Sequence, residues 1–124
     1  NKILLIVAKQ NSKIVAGALN FIGDDTLYGR NWGSIVDIPF LHFELCYYQA
    51  IEYAIDNNIK TVEAGAQGHH KIQRGYIAES TYSRHLIQNE SFAKAVRNFV
   101  QLEAKEIDKQ IQLINEQGSP YSNI

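Results

Sequence analysis

Residues 63–76 read Glu-Ala-Gly-Ala-Gln-Gly-His-His-Lys-Ile-Gln-Arg-Gly-Tyr, which sets Glu63, Gln67, His69, His70, Lys71 and Arg74 among three glycines directly after a strand-like run. Glycine lets a backbone approach a ligand closely or take positive φ, and open α/β sheets hold ligands at the carboxyl ends of their strands. These side-chain types can move a proton and bind an anion. Glu63, alternating with Thr61 and Gly65 along the strand, can accept a proton directly or through water, with His70 as the rival base. Lys71, Arg74 and, upstream, Arg30 suit a phosphate or a carboxylate, arginine by two-pronged contact. The alternative for Glu63 is a structural ion pair with Arg30, Lys71 or Arg74; for the cations it is solvated charge.

Arg30 stands between Tyr28 and Trp32 inside a strand-like segment, where a merely solvated arginine is less expected. Strict alternation over Thr26 to Gly33 puts Tyr28, Arg30 and Trp32 on one face and Leu27, Gly29, Asn31 and Gly33 on the other, the pattern of a cleft wall. The expected catalytic set is Glu63, His70 and Lys71. The expected binding set is Arg30, Trp32, His42, Glu44, Gln67 and Arg74. No metal site is expected, although His42, Glu44, Cys46, Glu63, His69, His70 and His85 are metal-capable. No Cys-x-x-Cys or His-Glu-x-x-His occurs, and residues 42 and 44 do not share a helix face. Cys46 reads as a small buried residue rather than a nucleophile.

The elements that must position these residues follow from periodicity. Lys2 to Lys9 is apolar on both alternating faces, a strand covered on both sides. Gln10 to Lys13 is a turn, Ile14 to Ile22 a second strand, Gly23 to Asp25 a second turn, and Thr26 to Gly33 a third strand in an antiparallel meander. A helix from His42 to Asn57 presents Phe43, Tyr47, Ala50, Ile51, Ala54 and Ile55 at helical spacing, with Asn58 as its stop. Lys60 to Gly65, reached through that helix, should run parallel to its partner by a right-handed crossover. After the polar loop come an extended piece at Thr81 to Ile87 and a long helix capped by Asn89 and ended by Gly118-Ser-Pro120.

With 124 residues, 45% apolar and 20% charged, the chain has room for one domain with a core and is too short for two. A net charge of −1 excludes a global basic footprint for nucleic acid or anionic membrane. A lone cysteine excludes an internal disulfide framework and suits a reducing compartment, so the cytoplasm is the expected location. The apolar run Ile3 to Ala8 is far short of the roughly 20 residues of a membrane span, and no membrane insertion is expected. The chain opens at Asn1, contains no methionine and enters a strand almost at once, which leads us to expect the C-terminal half of a longer polypeptide.

The stretch Leu41-His-Phe-Glu-Leu-Cys-Tyr-Tyr-Gln-Ala-Ile51, followed by Glu63-Ala-Gly-Ala-Gln-Gly68 and Lys71-Ile-Gln-Arg-Gly-Tyr76, resembles the GNAT-related proteins of peptidoglycan biosynthesis or recognition, distant relatives of the Fem-type peptidyltransferases. The element order resembles the C-terminal half of a GNAT acyltransferase domain, and the resemblance covers residues 1–90. It implies an α/β (α+β) GNAT-like fold, with a mixed sheet built from an antiparallel meander, a crossover helix and a parallel strand, followed by a long C-terminal helix. It implies an N-acyltransferase of cell-wall metabolism that holds a donor carbonyl between strands three and four and passes the acyl or aminoacyl group to a small-molecule or peptide amine. Ser34 to Leu41 contains no glycine, whereas a GNAT pyrophosphate loop carries spaced glycines, so aminoacyl-tRNA stands beside acyl-CoA as the implied donor and tRNA as a possible partner. The competing expectation is a non-catalytic module that recognises a peptide or glycan in the same cleft and needs no activated donor.

On the long helix, Phe92, Val96, Phe99, Val100, Ile107, Ile111 and Ile114 form one apolar stripe. Burying such a set is worth on the order of 10 kcal/mol. A second copy in a homodimer, or an N-terminal part of a longer chain, is the expected cover.

Overall fold

The computed structural model describes residues 2–65, 68–118 and 120, apart from the side chain of Gln117. The chain falls into two compact units, Asn1–Gln67 and Gly68–Ile124.

In the first unit β1 (Ile3–Gln10), β2 (Lys13–Ile22), β3 (Thr26–Ser34) and β4 (Thr61–Glu63) form a four-stranded sheet in the order β1-β2-β3-β4. β1 turns into β2 through Asn11 and Ser12, at φ 50° and 65°, the two-residue geometry whose twist matches antiparallel strands. The second turn closes by the Gly23 N–H donating to the Thr26 carbonyl at 2.8 Å. Between β3 and β4 the chain crosses over through α1 (Leu41–Phe43), a π-helical turn (Glu44–Tyr48) and α2 (Gln49–Asp56). Asn58, at φ 55°, stops this helix, and the Ile59 N–H donates to the Ala54 carbonyl at 2.8 Å. β4 then pairs parallel to β3, as a crossover connection requires.

Each of the two antiparallel pairs carries a bulge. Ala16 faces Ala8 and Ile14 faces Lys9, which leaves Val15 as an extra residue in β2; Gly29 faces Asn20 and Asn31 faces Leu19, which leaves Arg30 as an extra residue in β3. Opposed residues share a face. Leu27, Gly29, Trp32 and Ser34 therefore lie with Ile22, Asn20, Ala18 and Ala16, whereas Tyr28, Asn31 and Gly33 lie with Phe21, Leu19 and Gly17. The face assignment from strict alternation is corrected accordingly: the bulge shifts the phase by one residue, and Trp32 parts from Tyr28.

The Ala16 face carries the core. Ala16, Ala18 and Leu45 pack with Ile6, Ala8, Leu41 and Cys46, while Leu27 and Ala50 are fully buried. The crossover buries Leu45, Tyr47, Ala50 and Ala54 and leaves Ile55 70% exposed, unlike the stripe read at uniform helical spacing. The π-helical turn, with i→i+5 bonds, alters the phase before α2 begins.

In the second unit a 3₁₀ turn (His69–Arg74) leads into residues 76–89, which form neither helix nor strand, so the extended piece at Thr81 to Ile87 finds no ladder. α3 (Glu90–Gln117) has 28 residues and so spans about 42 Å. The Asn89 side chain caps it, accepting from the Phe92 N–H at 2.9 Å. Near its other end the Asn115 amide accepts from the Ala78 N–H and donates to the Ala78 carbonyl, both at 2.8 Å. Phe92, Phe99, Val100 and Ile107 are exposed along the stripe, and Val96, Ile111 and Ile114 are half-buried. Among the described residues no helix is long and apolar enough to cross a membrane.

Candidate functional site

β3 and β4 pair over Thr26 with Thr61, Leu27 with Val62 and Tyr28 with Glu63; there the ladder ends, while β3 continues to Ser34. A cavity of ≈ 120 Å³ lies where they part. β2 contributes Ala18, Leu19 and Asn20, β3 contributes Gly29, Arg30, Asn31 and Trp32, the crossover contributes His42, Cys46 and Tyr47, and Ala64 closes the end beyond β4.

Both local irregularities serve this wall. The bulge at Arg30 bends β3 and brings Trp32 onto the helix face. In the crossover, π-helical bonding brings residues 42, 46 and 47 to one side. His42 meets Trp32 edge-on, with ring centroids 5.2 Å apart and planes at 62°, and meets Tyr47 at 5.4 Å and 79°. Such edge-to-face contacts fix ring orientation. Phe40, just before α1, sits at φ 66°, a left-handed conformation costly for a bulky side chain. The segment from Ser34 to Leu41 thus lacks glycine yet holds one residue in a glycine-like backbone state.

Burial pushes the Cys46 thiol up from 9.0 to about 11, so at neutral pH it lines the cavity as a neutral thiol and not as a nucleophile. Arg30 is exposed at the rim and has no carboxylate partner among the described residues. Among those residues no three His, Cys, Asp or Glu side chains gather into a metal-binding group.

Of the residues singled out from sequence, the cavity brings together Arg30, Trp32 and His42. Glu63 is the last residue of β4, exposed, on the Tyr28 face and adjacent to the cavity-lining Ala64; it makes no ion pair with Arg30. Glu44 is exposed and accepts from the Gln49 side chain at 2.9 Å. His70, Lys71 and Arg74 lie on the 3₁₀ turn of the second unit, where the Arg74 guanidinium donates to the His70 carbonyl at 2.6 Å. Burial holds the Lys71 ammonium below the usual lysine range. Gln67 lies outside the described residues. Sequence reasoning missed Asn20, Asn31 and the cavity position of Cys46; Tyr47, a residue read from sequence as core and groove lining, is buried and lines the cavity. The signal for Asn20 was a single amide on a strand face otherwise built of Ala16, Ala18 and Ile22.

A mixed α+β sheet whose parallel strand pair opens beside a crossover helix defines the class of this protein. The chain belongs to the FemAB-like family, described as peptidoglycan biosynthesis/recognition, whose model matches residues 1–123. No curated protein and no solved structure shows a significant match to it.

Proposed function

We propose that the protein is an N-acyltransferase of GNAT-like arrangement that transfers an acyl or aminoacyl group to a small-molecule or peptide amine in cell-wall precursor metabolism, in the cytoplasm. The observation that carries this is the cavity at the point where parallel β3 and β4 separate, in a chain of the FemAB-like family. In this reading the donor carbonyl lies between the separated strands, and backbone N–H groups of β3 beyond Tyr28 polarise it. The acceptor nitrogen attacks that carbonyl; a C–N bond forms, and the C–S bond of acyl-CoA or the C–O bond of aminoacyl-tRNA breaks. His42, in the cavity, takes the amine proton, with Glu63, on the opposite sheet face at the end of β4, as the rival base acting through water past the end of the ladder. The leaving sulfur or oxygen ends protonated. Arg30 at the rim supplies positive charge for the donor's phosphates, and Trp32 gives the acyl group an aromatic wall.

Ligand-dependent melting tests the reading. A rise in melting temperature with acyl-CoA or a non-hydrolysable aminoacyl-tRNA mimic, and none with plain peptide or glycan, supports transfer. The opposite pattern supports the recognition module, and with it the non-catalytic sense of the family description.

A further inference from the structure

We infer that Asn20 reads the N–H of an amide in the ligand, so that the cavity takes an amino-acid-derived group in preference to a plain alkyl acyl group. Asn20 is 2% exposed and lines the cavity from β2. Its one hydrogen bond among the described residues runs from Nδ2 to the Ala18 carbonyl and is long, 3.4 Å. A carboxamide carries two donor hydrogens and two acceptor lone pairs, and burying them unmatched is costly. Asparagine is also disfavoured inside strands, and this one caps no helix and makes no turn. Its place is explained by a partner that arrives with the ligand.

The geometry indicates which atom does the reading. Oδ1 lies on the Gly29 side, 3.7 Å from where a Cβ on residue 29 would stand, and Gly29 itself lines the cavity. Gly29 is not at positive φ, so its lack of a side chain serves space and not backbone conformation. A Cβ there would meet the Glu63 carbonyl first, at 3.3 Å, so the glycine lets the end of β4 come close and also leaves room beside Oδ1 for a donor. Among the described residues no carboxylate lines the cavity, and Cys46 is a neutral thiol, so a neutral amide N–H matches better than an ammonium. A volume of ≈ 120 Å³, equal to about four water molecules of liquid, holds one peptide unit with a small side chain.

This inference rests on the cavity being the ligand site proposed above, and its test separates the two. The probes are N-acetyl-L-alanine N-methylamide and the two analogues in which one N–H is replaced by oxygen, N-acetyl-L-alanine methyl ester and O-acetyl-L-lactic acid N-methylamide. Each is titrated into the ¹⁵N-labelled full chain. The expected result is that the methylamide moves the Asn20 side-chain resonances and that one analogue binds about tenfold more weakly. Asn20→Ala should bring the three probes to equal affinity. If Asn20→Ala does not fold, the wild-type probe series decides alone. Equal binding of all three, or a methylamide that leaves Asn20 unmoved, overturns the inference. Probes that separate as expected, with no binding of acyl-CoA or the aminoacyl-tRNA mimic, leave Asn20 as the reader and remove acyl transfer. Donor turnover without separation of the probes does the reverse.

Discussion

In the first unit Val15, Ala16, Ala18, Leu27, Leu45, Tyr47, Ala50 and Ala54 are buried around one sheet face, and the cavity is cut into that packing. In the second, Ala93 is the buried apolar residue among those described, while Phe92, Phe99, Leu102 and Leu113 stay exposed along α3. The contrast separates two signals that are easily confused. Chemically conspicuous residues crowd into 63–76, most of them on a short 3₁₀ turn, whereas the built cavity is made largely from unremarkable positions between 18 and 47. Packing fixes a side chain within tenths of an ångström; richness in polar types does not. The two units should also differ in local stability, since opening free energy follows buried apolar contact.

Four experiments would break or sharpen this comparison. Leu27 is 0% exposed, and Leu27→Ala should cost about 2–5 kcal/mol in urea unfolding followed by a probe in the sheet. A loss under about 1 kcal/mol would mean that the first unit is not the tightly packed one. Next in size, if the rival base carries the proton, Glu63→Gln should lower turnover about a hundredfold with the true donor and acceptor while leaving the fold intact; unchanged turnover leaves His42 as the base and returns Glu63 to a structural role at the end of β4.

The third test uses the raised Cys46 thiol. At pH 8 its thiolate fraction is about a hundredfold below that of a thiol at 9.0, and the greater nucleophilicity of the more basic sulfur recovers about tenfold. Iodoacetamide should therefore label folded protein about tenfold more slowly than urea-unfolded protein, with the rate climbing toward pH 11. The sign for stability follows from the same shift: between pH 9.0 and about 11 the folded state keeps a proton that the unfolded state releases, so this contribution is lost as pH rises through that window. Equal labelling of the two states would deny Cys46 its burial. The smallest effect belongs to the second unit. Phe99→Ala, at a residue 63% exposed, should change stability by no more than about 0.5 kcal/mol, and a larger loss would show that the stripe on α3 is covered in solution.

Much of the fold was legible in the sequence because its signals are local. Asn11-Ser12 makes its hairpin, Asn58 stops the crossover, Asn89 caps α3, and the meander-helix-strand order leads to a parallel β4. The irregularities of the first unit, two of which shape the cavity, were not legible, for one shared reason. Val15, Arg30 and the π-helical turn each break a constant period, and a periodic reading assumes that the period does not change. Trp32 and His42, named from sequence as binding residues, both line the cavity, although strict alternation put Trp32 on the Tyr28 face, and Asn20 drew no notice on a strand read only as the second of the meander. The apolar spacing of α3 announced a helix, but spacing alone does not say how much of a stripe is covered; much of it is exposed here.

The extra residue in β3 has a consequence for how this strand tolerates change in length. Removing one residue from inside a strand ordinarily turns every later side chain over. Here Gly29, Asn31 and Trp32 already face Asn20, Leu19 and Ala18 as consecutive pairs, with Arg30 standing outside the ladder. Excising Arg30 would join these pairs into an unbroken register and keep Trp32 on the cavity side, so the cost would be the guanidinium and the local bend. A single-codon deletion, among the harshest edits elsewhere in the sheet, would be among the mildest at this position.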